Sequence, residues 1–146
     1  MNLTQALVHE LLKYDPHTGQ LTWRRRSRKW FKNSTDGRRL WNIQFAGKPA
    51  LSKVCDDGYL RGKLFRKKAY RADTIIWFWM TGDWPKSMDR EGITHLNGNR
   101  SDNRWCNLHD KDEPARVDGT IAFIARPVPV RAASSTIIEE EQRRHA

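Results

Sequence analysis

In LTQALVHELLK (residues 3–13) the apolar positions 3, 6, 7, 8, 11 and 12 fall close to one helical stripe, so the chain opens with a short helix. It should stop near Asp15-Pro16, because the residue before a proline is pushed out of the helical region. DPHTGQLTW then reads as a turn cornered by Gly19 that enters a strand at Leu21, Thr22 and Trp23. Residues 24–39, RRRSRKWFKNSTDGRR, carry eight Lys and Arg around Trp30 and Phe31 and predict a basic loop or hairpin. After a DDG turn at 56–58, Leu60, Leu64, Phe65 and Tyr70 alternate with basic residues, as in short antiparallel strands with one face on a core. From Arg71 the period changes. The run RADTIIWFWMTGDWP predicts about three helical turns closed by Gly82 and Pro85, with Ile75, Ile76, Phe78 and Trp79 as core. Downstream, TIAFIARPVPV reads as extended and IIEEEQRRHA as a short terminal helix.

The fold class that follows is α+β. A small basic antiparallel sheet with helices occupies residues 1–70, a β-hairpin unit occupies 71–110, and 111–146 form a C-terminal extension.

Charge changes this picture from shape to partner. Of a net +10, the whole excess lies early: residues 1–80 hold 17 Lys and Arg against 6 Asp and Glu, whereas residues 111–146 hold 6 of each. Clustered excess charge of this kind meets polyanions, because each phosphate it neutralises releases condensed counterions. A nucleic acid is the expected partner. The expected contacts are Arg24, Arg25, Arg26, Arg28, Lys29 and Lys32 in the first cluster, Arg66, Lys67 and Lys68 in the second, and Arg100 further on. Composition excludes other classes: no apolar run of about 18 residues suggests a membrane span, and no leader is seen, so a cytoplasmic location is expected. Cys55 and Cys106 lack a C-x-x-C spacing and read as two reduced thiols.

The most informative stretch is GITHLNGNRSDNRWCNL, residues 92–108. Together with LLKYDPHTGQLTW, AGKPA, GYLRGKLFRKKAY and IIWFWMTGDWP, its HLNGNRSDNRWCNL resembles the phage and intron-associated HNH endonucleases, over roughly residues 10–109. The resemblance implies a β-hairpin–helix (ββα) metal unit. It makes His95 the general base that activates water and Asn107 the residue that fixes its ring by hydrogen bonding, with Gly98, Asn99, Asp102 and Asn103 forming the turn. It also implies phosphodiester cleavage or nicking of duplex DNA with Mg²⁺ or another divalent cation, and, in a phage-encoded protein, action in the bacterial host cytoplasm.

Three departures from the family pattern matter. Thr94 stands where the family has a metal-binding aspartate, no Asn or His lies between residues 110 and 120, and Asp73-Thr74 replace a His that normally supports the site. A substitute carboxylate would have to come from Asp110, Asp112 or Glu113, beside His109. No metal ligand is therefore assigned, and two readings stand: an endonuclease, or an inactive HNH fold that holds DNA or, through its C-terminal tail, a host or phage protein.

Overall fold

The computed structural model describes residues 2–32, 34–65, 68–86 and 92–113. Its architecture is α+β, with three helices and three small antiparallel sheets. Helix α1 (Gln5–Leu11) is capped by Thr4, whose hydroxyl accepts from Leu7 N at 3.2 Å. It ends three residues ahead of Asp15, earlier than the proline rule predicts, because from Leu12 the side chains alternate. Leu12 and Tyr14 are buried while Lys13 and Asp15 are exposed, and this period-2 pattern makes β1 (Leu12–Asp15), paired with β2 (Gln20–Trp23).

The basic stretch that follows is not a hairpin. A 3₁₀ turn (Arg28–Trp30) leads to α2 (Thr35–Phe45), whose N-cap Ser34 accepts from Gly37 N at 2.9 Å, with Asp36 in the positively polarised first turn. Ser34 to Gly37, inside the stretch read as a loop or hairpin, are thus a helix start. The second sheet is β3 (Lys53–Val54), β4 (Leu60–Phe65) and β5 (Lys68–Arg71) in that order, with Lys53, Lys63 and Lys68 exposed and Leu64 buried, as the alternation predicts.

Helix α3 (Ala72–Thr81) ends at Gly82 in the left-handed conformation, φ +82°, whose N–H closes on Phe78 O. Ile75, Ile76, Trp77, Phe78 and Met80 are buried and join Val8, Leu11, Leu12, Tyr14 and Leu21 in one core. Burial of these side chains, each worth roughly 1.5–3 kcal/mol, is what binds α3 to α1 and the first hairpin. On α1, His9 stacks on Trp79 with ring centroids 4.1 Å apart, and its Nε2 meets Trp79 O at 2.7 Å.

The last elements are β6 (Ile93–His95) and β7 (Leu108–Asp110), joined by a loop and a 3₁₀ turn (Trp105–Asn107). This is the hairpin of the expected β-hairpin–helix unit. The helix to follow it and the extended segment and terminal helix of the tail lie outside the described residues, the last of which, 111–113, form a turn. Among the described residues no helix is long and apolar enough to cross a membrane.

Candidate functional site

His95 owes its position to strand alternation. In the β6–β7 ladder His95 pairs with Leu108 and Ile93 with Asp110, and all four are buried; Thr94 pairs with His109 on the opposite, outward face. Only 7% of the His95 surface is exposed. Its Nε2 lies 2.9 Å from Asn103 Oδ1, an amide oxygen that accepts from the ring N–H. Buried Nδ1 has no hydrogen-bond partner.

The loop that carries Asn103 is built from side chains that substitute for backbone ladder bonds. Asn97 Oδ1 accepts from Asn99 N at 2.8 Å, Asn99 Oδ1 from Ser101 N at 3.0 Å, and Asn97 Nδ2 donates to Asp102 Oδ2 at 2.7 Å. Asn107 locks both ends. Its Oδ1 accepts from Asn97 N at 2.8 Å and its Nδ2 donates to Asp102 O at 2.8 Å. The hydrogen bond to the histidine ring that the resemblance implies for Asn107 is thus made by Asn103, and Asn107 is the clasp of the loop. Asp102 also forms an ion pair with Arg104, with Nη2 and Oδ2 2.6 Å apart; this hydrogen-bonded partner holds the carboxyl down to a pKa of about 2.

Two other parts of the chain brace this loop. From the first hairpin, the Tyr14 hydroxyl donates to Asn103 O at 2.6 Å and Trp105 N donates to Pro16 O at 3.1 Å; burial pushes the Tyr14 phenol pKa up. Gly19 makes that approach possible, since at φ +76° a Cβ there would sit 2.5 Å from Arg104 N and Asn103 C. From the second sheet, Arg100 Nη1 donates to Asp57 O at 2.9 Å and Ser101 Oγ to Gly58 O at 2.8 Å. Arg100 and Arg71 guanidiniums lie 4.9 and 3.7 Å from the Tyr59 ring, whose centroid is 5.8 Å from that of His95. Arg71 in turn pairs with buried Asp73, so the position where the family has a supporting histidine acts on the site through Arg71 and Tyr59. Sequence reasoning missed Tyr59 and Arg71; the signal was the GY of the shared GYLRGKLFRKKAY stretch, which carries no spacing to the hairpin.

Between these groups opens a cleft of about 270 Å³ lined by Tyr59, Ile93, Thr94, His95, Gly98 and Arg100. It brings the His95 ring and the Arg100 guanidinium to one opening, a pairing that suits a phosphate. For a divalent cation the described donors do not suffice. Thr94 offers a neutral oxygen, and among the described residues no group of three His, Cys, Asp or Glu is gathered. Asp110, one of the substitute carboxylates weighed above, is buried and accepts from Lys86 N at 2.7 Å and Asp112 N at 3.1 Å.

The expected DNA-contacting residues separate into groups. Arg100 belongs to the cleft. Arg25, Arg28 and Lys32 are exposed, as is Lys68, whose ammonium sits 5.3 Å from the Tyr70 ring centroid. Arg24 Nη1 donates to His9 O at 2.9 Å, and Lys29 pairs with Glu10 at 2.7 Å. Arg26 lies 4.0 Å from the Trp41 ring centroid between Trp23 and Trp30, where burial draws its pKa down. Arg66 and Lys67 fall outside the described residues. Cys55 and Cys106 are both free thiols, as their spacing predicts.

A model of the HNH endonuclease family matches residues 70–109, from β5 through α3 and the hairpin loop into β7. Comparisons with curated proteins and with solved structures return no match. The matched segment contains the bonded pair His95 and Asn103 and the loop clasp Asn107, and over these residues the chain is similar to the HNH endonucleases.

Proposed function

We propose that this chain binds duplex DNA with the hairpin cleft and the basic surface of its N-terminal half, and that His95 is the general base of a phosphodiester hydrolysis carried out there. The observation that carries this reading is the His95–Asn103 bond. An imidazole held by Asn103 at 2.9 Å keeps its ring in one orientation at the cleft before any substrate arrives. In this reading His95 takes a proton from the attacking water. Arg100, held by Asp57 O, places positive charge on the same wall of the cleft for a backbone phosphate.

The HNH resemblance implies Mg²⁺ or another divalent cation, but the described donors at the cleft do not make up its site, so no step is assigned to it here. Thr94 favours a second reading, in which the chain holds DNA without cutting it. A neutral hydroxyl in place of a carboxylate binds a hard cation poorly, and a base alone contributes roughly 10²–10⁴-fold. Incubation of supercoiled plasmid with the full chain in Mg²⁺, Mn²⁺ or EDTA separates the two. Nicked circles that disappear in His95→Ala support the first reading; a stable complex with uncut plasmid under every condition supports the second.

A further inference from the structure

We propose that the cleft between residues 24–26 and α2 is a second phosphate-binding site, one that seats the backbone of duplex DNA away from the hairpin. The proposal rests on the DNA reading above. The cleft has a volume of about 310 Å³ and is lined by Arg25, Arg26, Arg38, Arg39, Asn42 and Ile43 among others; it shares no lining residue with the hairpin cleft. Four guanidiniums at one small opening repel one another unless an anion lies among them. Among the described residues none of Arg25, Arg38 and Arg39 makes a salt bridge, although Glu10, a few residues upstream of the basic stretch, is engaged with Lys29 and Trp30.

The walls are held at a fixed separation. Asn42, buried on α2, accepts from Arg26 N at 2.8 Å and donates to Arg26 O at 3.1 Å, and the Arg26 side chain lies against Trp41 of the same helix. Buried Arg26 Nε has no hydrogen-bond partner. The apolar partners fit a nucleic acid backbone as well: Ile43 lines the cleft and Leu40 lies on the same helix, 66% and 64% exposed, able to pack on deoxyribose once phosphates are engaged. Arg38 and Arg39 of the helix and Arg25 and Arg26 of the preceding segment all line this one opening.

The test compares the wild type with Arg38→Gln/Arg39→Gln in equilibrium binding to a short duplex across a salt series. Both residues are exposed, so the variant leaves the core untouched. The proposal predicts affinity lower by roughly 5- to 30-fold near physiological salt, and a slope of log K against log salt reduced by about 0.9 per lost phosphate contact. In parallel, phenylglyoxal modification of the wild type should be slowed at Arg38 and Arg39 by saturating duplex, a readout independent of how the variant folds. If the wild type binds duplex but the variant matches it in affinity and slope, and the two arginines stay reactive, the inference falls and the hairpin reading stands. If the variant weakens binding only to single-stranded RNA, the inference falls also. If the wild type does not bind duplex at low salt, both fall together.

Discussion

Asn103 Oδ1 stands 2.9 Å from Nε2 of His95, eight residues earlier on the other side of the hairpin loop, and this bond holds the ring in one orientation. Replacing Asn103 with alanine frees the ring while sparing the Tyr14 bond, which goes to the backbone carbonyl. The expected outcome is a nicking rate lower by about 10²-fold with duplex affinity within a factor of two, since misplacing a catalytic group costs on that order. Single-turnover nicking and a binding titration on the same preparation check it; unchanged nicking would detach Asn103 from the chemistry.

Asp73→Asn tests the link from α3 to the cleft. Asp73 is 2% exposed and engages both Arg71 and Thr74 N, the latter at 2.7 Å. Removing one partner of a buried ion pair costs about 3–5 kcal/mol. A denaturant midpoint lowered accordingly is expected, with the Tyr59 environment changed in the near-ultraviolet spectrum.

Gly19→Ala should be costly although glycine-to-alanine changes often stabilise by restricting the unfolded chain. Here φ is +76° and the added methyl would meet the backbone of Asn103 and Arg104 at 2.5 Å, so the first hairpin must retreat from the HNH loop. A loss of about 1–3 kcal/mol in urea unfolding, accompanied by weaker nicking, is expected.

The Asp102–Arg104 pair gives the loop an acid limit. With its folded pKa depressed to about 2, the Asp102 carboxylate contributes stability that is present above the ordinary aspartate value near 4 and is lost as pH falls toward 2. A solvent-screened pair of this kind is worth about 0.5–1 kcal/mol. Thermal melts between pH 5 and 2 should show wild type losing more stability than Asp102→Asn, and parallel curves would contradict the assignment.

Much of this was legible in the residues. The alternation of Leu60 to Tyr70, the apolar run of α3 and its glycine stop are local signals that tertiary contacts then reinforced, whereas Leu12 to Asp15, read as the end of a helix, form a strand. Helix α2 was not legible because Gly37 suggests a turn and its most exposed side chains include Leu40 and Ile43, so no apolar stripe faces the core; its start is set by the Ser34 cap. The exchange of roles between Asn103 and Asn107 was invisible for a different reason. Both are asparagines at one loop, and only the three-dimensional path decides which amide reaches the ring and which reaches Asn97 and Asp102. Arg38 and Arg39 were counted in the charge of the basic stretch, but without the helix nothing placed them opposite Arg25.

The most direct test of the account is the rate of plasmid nicking by the wild type and by His95→Ala, measured in Mg²⁺ and in Mn²⁺ at matched DNA occupancy. The account predicts that the variant binds duplex as the wild type does and nicks it at least 10²-fold more slowly. Equal nicking by the two proteins would contradict it, because the proton would then be leaving water for some other group.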